Sequence, residues 1–442
     1  MQAPFDRAFV ASVETLLGAQ TEAFLRALEE PYAAALRVHR PCAQLVRFIG
    51  DPVPWAREAY YVLPGTQPGA SIAHWAGSFY LQEASAMLSA AALMAQPGER
   101  VLDLCAAPGG KASQIGRDLQ GEGVLVANEP HPGRAQALAG NLERLGVANA
   151  VVTCETPERL AAAWPEAFDA VLVDAPCSGE GMFRREAQAR AQWTAQGVAG
   201  CARRQGQILA AAARMVRPGG RLVYSTCTFN AVENEGTIAA FLKAQGEFAP
   251  EDFSVAGLGA SEGGMLRLWP HLARGDGHFV CRMRRAGAST LSCAPARDDP
   301  GAQQAVRALA QSVMRTLPRA LASASLRFWG ERLFAVPALA PATDGLRVVS
   351  PGTALLRARK NRVEPEHALA MAATPQMALR AQALDEVEAL RFFAGEAIAR
   401  EGENGWTLTT FEGLSLGWGK QVDGALKNHL PRGLRRNLRA QA

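Results

Sequence analysis

The chain has 442 residues, of which 48% are hydrophobic and 20% charged. This length is too great for one ordinary hydrophobic core, so we expect roughly two to four domains. No apolar run approaches the roughly 18 residues that cross a bilayer, and residues 1–20 mix charged with apolar side chains, unlike a secretion signal. The sequence therefore predicts a cytoplasmic protein without a membrane partner.

The eight cysteines include no CxxC pair, and the seven histidines are not clustered. This pattern argues against a disulfide framework and against a metal site, and reduced thiols fit the cytoplasm. The net charge of +4 permits a nucleic-acid partner without requiring one.

Residues 1–97 form a predicted N-terminal extension that is mainly helical. Residues 50–78 are rich in Pro, Gly and Trp, which indicates short strands and turns. Before them we predict two amphipathic helices, one from the stripe Phe5, Phe9, Val13, Leu16 and Leu17, and the other from Phe24, Leu25, Leu28 and Leu36.

Residues 98–285 alternate buried strands with helices. Such alternation specifies an α/β domain, in which a parallel sheet is covered by helices on both faces. A late edge strand is predicted at 278–285. The earlier strands are predicted at 101–104, 124–129, 150–154 and 169–176, and in the segment that leads into Cys227.

The remainder of the chain predicts smaller domains. Residues 286–301 are small, polar and Pro-containing, as in a linker. Residues 300–385 mix helical and strand patterns and are assigned to a first C-terminal domain of α+β type. Residues 386–442 contain WTLTTFEGLSLGWGKQ, which predicts a hairpin-like β module.

The segment LDLCAAPGGK joins a predicted strand to a helix. Gly109 and Gly110 let a ligand approach the backbone closely, and the free amides of a helix start favour a negative group. Glu129 ends the next predicted strand, where a carboxylate can accept hydrogen bonds from both hydroxyls of a ribose. Because the turn is not GxGxxG, the pattern favours S-adenosyl-methionine over a dinucleotide. A purely structural turn is the alternative.

Two cysteines follow the last two parallel strands. DAPCSGEGMF places Asp174 and Cys177 at the end of one strand, and Cys227 ends the next. If these strands are neighbours, both thiols face one pocket beside the glycine turn. A thiolate that adds to carbon 6 of a cytosine makes carbon 5 nucleophilic enough to take a methyl group, and a carboxylate can bond to the nitrogen edge of the ring. A small buried hydrophobe is the alternative for Cys227.

Together, LDLCAAPGGK, DAPCSGEGMF and VYSTCTFNAVENE resemble the motifs of the RNA cytosine-5 methyltransferase family, in its bacterial 16S ribosomal RNA subgroup. The resemblance covers residues 1–285, and GWGKQVDGALKNHLPRGLRR is similar to the PUA-like RNA-binding domain of that subgroup. It implies a Rossmann-like class I methyltransferase sheet and an RNA-binding N-terminal extension. It also implies S-adenosyl-methionine as cofactor, and 16S ribosomal RNA or the small ribosomal subunit as partner of a monomeric enzyme.

The same resemblance implies roles for individual residues. Cys227 would be the nucleophile at carbon 6, Cys177 would assist release of the methylated base, and Asp174 would lie between cofactor and base. Independently of the resemblance, the position of Arg184 and Arg185 just after Cys177 predicts that they hold the RNA backbone beside the pocket. The implied cofactor-binding set is Cys105, Ala106, Ala107, Pro108, Gly109, Gly110, Lys111, Glu129 and Asp174.

Further RNA contacts are predicted from basic residues, which bind phosphate, with aromatic side chains that stack on bases. A solvated surface is the alternative for each basic cluster. His271 and His278 receive no role and are expected to be surface histidines. The two clusters are Arg357, Arg359, Lys360 and Arg362, without an acidic neighbour, and the residues from Lys420 onwards, near Trp406, Phe411 and Trp418.

Two other functions stay open at this point. Transfer RNA is an alternative substrate, because the catalytic motifs are shared across the family. A non-catalytic ribosome assembly factor is the second alternative, although such a protein should have lost Cys227, Asp174 or the glycine turn, and all are present.

Overall fold

The computed structural model describes residues 4–290, 297–359 and 362–438. Two residues of the predicted basic clusters, Lys360 and Arg439, lie outside the described residues.

The N-terminal extension combines two helices with a small antiparallel sheet in the order β2-β3-β1-β4. Leu36 was predicted in the second helix, but that prediction is wrong: the helix ends at Ala27, and Leu36 is paired with Tyr60 and Leu81 in the sheet. Pro31 accounts for the break, since a proline disfavours helical geometry in the residue before it. The elements are α1 (Arg7–Leu17), α2 (Thr21–Ala27), β1 (Ala35–Val38), β2 (Ile49–Pro52), β3 (Ala59–Val62), α3 (Ile72–Trp75), β4 (Phe79–Leu81) and α4 (Leu88–Leu93).

The central part of the chain alternates strands and helices, as predicted. Its elements are β5 (Arg100–Asp103), α5 (Gly110–Asp118), β6 (Val124–Asn128), α6 (Pro132–Arg144), β7 (Ala150–Thr153), α7 (Pro157–Ala163), β8 (Phe168–Asp174), α8 (Ala187–Gln192), α9 (Ala195–Met215), β9 (Val216–Thr226), α10 (Glu235–Ala244), β10 (Phe248–Pro250), β11 (Ser254–Val255), β12 (Gly259–Ala260), β13 (Met265–Leu268) and β14 (His278–Arg285).

The C-terminal part contains two further small sheets. Its elements are α11 (Ala302–Ser312), β15 (Ser325–Trp329), β16 (Arg332–Val336), β17 (Val348–Ser350), β18 (Thr353–Arg359), β19 (Arg362–Pro365), α12 (His367–Ala372), β20 (Ala381–Ala383), α13 (Glu386–Ala394), β21 (Ile398–Ala399), β22 (Gly405–Phe411), β23 (Leu414–Val422) and β24 (Ala425–Asn428). The predicted terminal hairpin is confirmed, because β22 and β23 pair antiparallel.

The main sheet has the order β10-β14-β9-β8-β5-β6-β7-β17, and β13 also pairs with β14. Strands β5 to β9 pair parallel with one another, which confirms the Rossmann-like fold. The prediction of 278–285 as an edge strand is wrong: β14 lies between β9 and β10 and is buried from His278 to Met283. An edge position is instead taken by β17, which the first C-terminal segment adds antiparallel to β7.

Both faces of this sheet are covered by apolar side chains. Neighbouring residues of a strand point to opposite faces, so Val101 packs in one cluster with Ile115 while Leu102 packs in another with Leu209. All four side chains are fully buried, and each such burial stabilises the fold by roughly 1.5–3 kcal/mol. The parallel strands are therefore held rigidly, and their carboxyl ends form a fixed edge.

The N-terminal helices pack against that edge through aromatic rings. Phe9 of α1 lies 5.2 Å from Phe183, which follows β8, measured between ring centres. Phe24 of α2 lies 4.8 Å from Phe229, which follows β9. The extension thus contacts the loops that follow both strands. Among the described residues, no helix is both long and apolar enough to span a membrane.

Candidate active site

The two predicted cysteines meet at the carboxyl edge of the sheet. Strands β8 and β9 are parallel neighbours, with Asp174 opposite Ser225. The loops that follow bring the sulfur atoms of Cys177 and Cys227 to 3.4 Å from each other. Neither cysteine is fully buried, so the thiol pair is open to a ligand from the edge of the sheet.

Two buried glutamates tie these loops together. Glu180, on the Cys177 loop, accepts hydrogen bonds from the backbone N–H groups of Phe229 (2.7 Å) and Asn230 (3.0 Å) on the Cys227 loop. Glu233 accepts one from the backbone N–H of Ser178 (3.0 Å) in the opposite direction. The sequence analysis gave neither glutamate a role, although both lie within the quoted motifs. Their contacts fix the distance between the thiols.

Asp174 lies in a polar pocket beside the thiols. Its carboxylate is 2.8 Å from the Lys111 ammonium and accepts a 2.8 Å hydrogen bond from the Ser225 hydroxyl. Burial alone would raise the pKa of Asp174, but the charge of Lys111 and the nearby imidazole of His278 outweigh it and hold that pKa well below its usual range. Asp174 is therefore ionised at neutral pH and can only accept hydrogen bonds.

His278 was expected at the surface, and this expectation is wrong. It opens β14, is 2% exposed, and its Nε2 lies 2.8 Å from the Ser89 hydroxyl and 3.6 Å from the Asp174 carboxylate. Only the antiparallel pairing of β14 with β9 brings it there. Since that pairing was not predicted, the residue could not be placed from the sequence.

The glycine turn has the geometry expected of a ligand site. Gly109 has a φ of 115°, in the left-handed region that favours glycine, and it precedes α5 without a side-chain cap. A Cβ on Gly110 would lie 3.2 Å from the side chains of Tyr80 and Gln82. The backbone amides at the start of α5 thus remain available to a negative group.

Asp103 is a buried acid at this turn to which the sequence analysis gave no role. It is fully buried, and among the described residues no donor meets the distance and angle of a hydrogen bond to either carboxylate oxygen. Burial and the charge of Asp174 raise the pKa of Asp103 to about 7, against the opposing effects of Lys111 and the Cys105 amide. An unpaired acid in this position suits a cationic group on a ligand.

Glu129 directly follows β6, next to the same turn, and is 2% exposed. Its carboxylate accepts a 3.0 Å hydrogen bond from the His131 amide and lies 3.1 Å from Arg134. Arg134 also donates to the Ala107 carbonyl at 3.0 Å, which places Glu129 and the turn side by side. S-adenosyl-methionine carries a ribose, a carboxylate and an ammonium group. Groups that can bind them are present here in Glu129, in the free amides at the start of α5 and in Asp103, respectively.

The two predicted RNA-binding arginines differ in exposure. The Arg184 side chain is 4% exposed, donates to the carbonyls of Ala27 and Gly275, and lies 3.6 Å from Asp276. The Arg185 side chain is 30% exposed and lies 2.7 Å from Asp276. Arg184 is thus engaged within the protein, whereas Arg185 keeps exposed surface near the thiol loops. Their contact with RNA stays a prediction.

The three C-terminal aromatic residues that were predicted near the RNA also differ in burial. Phe411 and Trp418 are buried in the core, whereas Trp406 is only partly buried. Trp406, Lys420 and Lys427 are cross-strand partners on β22, β23 and β24, and so share one face of that sheet. The Lys420 ammonium lies 5.6 Å from the Trp406 ring centre.

The other basic cluster is paired, contrary to the expectation that it has no acidic neighbour. Within the described ranges, each of its arginines lies close to a carboxylate: Arg357 to Glu366 at 3.5 Å, Arg359 to Glu331 at 2.8 Å, and Arg362 to Glu364 at 2.9 Å.

The parallel sheet, the glycine turn and the acids at its carboxyl edge define a Rossmann-like methyltransferase that uses S-adenosyl-methionine. Matches to models of known methyltransferase domains cover most of the chain and agree with this class of protein. Residues 90–284 match the 16S rRNA methyltransferase RsmB/F family. The matches to RsmF domains are the N-terminal domain at 5–84, the first C-terminal domain at 311–372 and the PUA domain at 380–436.

Curated relatives extend over nearly the whole chain. Ribosomal RNA small subunit methyltransferase F of Klebsiella pneumoniae is 31% identical over 98% of this chain and 97% of its own length. The protein of the same name from an Enterobacter species is 32% identical over the same shares. A solved methyltransferase homologue from Pyrococcus horikoshii is 28% identical, with a TM-score of 0.56 over 64% of this chain and 95% of its own.

The chain therefore belongs to the 16S rRNA methyltransferase RsmB/F family. It is an RNA methyltransferase that depends on S-adenosyl-methionine, which confirms the predicted family, fold and cofactor.

Proposed function

We propose that this enzyme methylates carbon 5 of a cytosine in 16S ribosomal RNA, through a covalent bond between Cys227 and carbon 6 and with release assisted by Cys177. The observation that carries the proposal is the 3.4 Å distance between the two thiols, beside the Lys111–Asp174 pair. The choice of 16S ribosomal RNA is supported by the names of the relatives, which are small-subunit methyltransferases.

The protonation of Cys177 suits it to the release step. Its hydrogen bond with Cys227 and its burial raise the pKa of Cys177 well above the usual range. It is therefore a thiol at neutral pH, and a thiol is a poor nucleophile. Cys177 thus holds a proton 3.4 Å from the Cys227 sulfur, which must later leave the base.

The steps on the base then follow in order. The Cys227 thiolate adds to carbon 6, and carbon 5 becomes nucleophilic. S-adenosyl-methionine supplies an electrophilic methyl group. Carbon 5 then loses its proton to solvent, the bond from carbon 6 to sulfur breaks with its electron pair going to sulfur, and Cys177 is positioned to protonate that sulfur. Asp174, ionised and fixed by Lys111, accepts a hydrogen bond from the nitrogen edge of the ring.

The cofactor would be held by the edge residues of β5 and β6. The amides of the Cys105–Lys111 turn would bind its carboxylate, Glu129 its ribose, and Asp103 its ammonium. The burial of both acids supports this assignment, since a buried carboxylate interacts strongly with a bound partner.

RNA binding is assigned to the cross-strand row Trp406, Lys420 and Lys427, in which Trp406 and Lys420 are partly buried and Lys427 is exposed. Like charges on directly opposed residues destabilise a sheet, and within the described residues the two lysines form no ion pair. A phosphate would relieve this repulsion while a base stacks on Trp406. We further propose the domain limits 1–97, 98–285, 300–385 and 386–442, and a monomeric enzyme in the cytoplasm, where its unpaired cysteines remain reduced.

The experiment that tests this function is to map 5-methylcytosine in 16S, 23S and transfer RNA from cells with and without the gene. We expect loss of the modification from 16S RNA, restored by the wild-type gene but not by Cys227→Ala. Loss confined to transfer RNA would show that transfer RNA is the substrate instead of 16S ribosomal RNA. An unchanged map would refute the proposal.

A further inference from the structure

The segment between Glu186 and Glu233 contains no acidic residue. It includes α8, α9 and β9, and it connects the two thiol loops. Its basic residues are Arg190, Arg203, Arg204, Arg214, Arg217 and Arg221. A stretch of this length with one sign of charge is an electropositive surface wherever its arginines are not neutralised by other parts of the chain.

Most of these arginines away from the catalytic edge are neutralised. Arg217 lies 2.6 Å from Asp169, and Arg221 lies 2.6 Å from Glu99. Arg203 and Arg204 are different, because both are exposed and neither forms an ion pair in the part of the chain that the structure describes. Arg214, further along α9, is also exposed and forms no ion pair among the described residues, so Arg203 and Arg204 are the two uncompensated arginines that are adjacent on this helix.

That part of α9 adjoins the thiol loops. Gln205, which follows Arg204, is fully buried and donates to the Pro176 carbonyl at 3.1 Å and to the Glu233 carboxylate at 2.7 Å. Pro176 directly precedes Cys177. Helix α9 therefore contacts the thiol loops at Gln205, one residue after Arg204 and two after Arg203, and both arginines are exposed on the faces of the helix that Gln205 does not occupy.

We infer that Arg203 and Arg204 bind phosphates of the RNA strand next to the target cytosine. The inference rests on the proposed function and adds a substrate-backbone site on the catalytic domain. Buried Arg184 cannot provide this charge at the surface, since its guanidinium is already bonded to backbone carbonyls and close to Asp276. A guanidinium without an acidic partner gains most from a phosphate, and its neutralisation releases counterions from the RNA.

The test is the salt dependence of binding to a fluorescein-labelled oligocytidine RNA, measured by anisotropy. Each phosphate contact on single-stranded RNA contributes about 0.7 to the slope of log Kd against log salt concentration. The double variant R203Q/R204Q should therefore show a slope smaller by about 1.4 than wild type. Arg214→Gln is the matched control, because Arg214 is an exposed arginine on the same helix about 15 Å further from the edge. It should keep the wild-type slope.

An unchanged slope in R203Q/R204Q, or an equal decrease in Arg214→Gln, would overturn the inference. Formation of 5-methylcytosine in ribosomal RNA is measured in parallel with wild type. If wild type methylates cytosine but the slopes do not differ, the arginine site is wrong and the function stands. If the slopes differ as expected but wild type forms no 5-methylcytosine, the function is wrong and the RNA surface stands.

Discussion

Replacement of Glu180 should loosen the contact between the thiol loops. The fully buried carboxylate accepts from the amides of Phe229 and Asn230 and from the Trp193 indole N–H at 3.0 Å. In Glu180→Ala these three donors lose their partner inside the protein. Each unsatisfied buried donor costs about 1–1.5 kcal/mol at the low end of the measured range. Two of the three donors lie on the Cys227 loop, so the loop contact should weaken by about 2–3 kcal/mol. Glu180→Gln keeps one acceptor oxygen and should lose roughly half of that.

Hydrogen exchange of the backbone amides measures this effect locally. In Glu180→Ala, the peptide that contains Phe229 and Asn230 should exchange roughly 30–150-fold faster, with an intermediate rate in Glu180→Gln. Methyl transfer should slow in the same order, because the thiols lose their fixed distance. Glu186→Ala is the control, since Glu186 is an exposed acid on the same loop. Wild-type exchange in Glu180→Ala would refute the argument that this carboxylate joins the loops.

Three further predictions concern the reaction and the cofactor. Cys177→Ala should accumulate a covalent protein–RNA adduct on denaturing gels and turn over about 10²–10⁴-fold more slowly, and normal turnover would show that Cys177 has no role in release. Glu129→Ala should weaken S-adenosyl-methionine binding about 10–100-fold by calorimetry, through loss of hydrogen bonds to a charged acceptor, while Glu143→Ala should bind normally. Asp103, with a folded pKa of about 7 against an ordinary 3.8, contributes stability that is fully present below pH 4 and lost as pH rises through 7. The Tm of Asp103→Asn should therefore rise relative to wild type between pH 5 and pH 8, and a constant difference would contradict the raised pKa.

The sequence was sufficient to predict the sheet and the thiol pair. The parallel strands read as apolar segments followed by glycines or reactive side chains, and the carboxyl ends of neighbouring parallel strands meet at one edge. Asp174 and Cys177 therefore had to lie near Cys227 once β8 and β9 were neighbours. Gly109 and Glu129 lie at the same edge, as their positions after β5 and β6 indicated, and their contact with the cofactor stays a prediction.

What could not be predicted depends on contacts between distant segments. Leu36 has a helical spacing from Leu28, but Pro31 and pairing with Tyr60 place it in a strand. His278 reaches Asp174 only because β14 pairs antiparallel with β9. The packing of Phe24 on Phe229 likewise arises between segments far apart in the chain.

The most direct test of the central claim is to identify the residue that bonds to carbon 6. RNA substrate containing 5-fluorocytidine has no carbon-5 proton to lose, so wild-type enzyme with S-adenosyl-methionine should stop at the covalent adduct. Protease and nuclease digestion followed by mass spectrometry should then find the methylated nucleotide on the peptide that carries Cys227. An adduct on Cys177, or no adduct on either cysteine, would contradict the proposed mechanism.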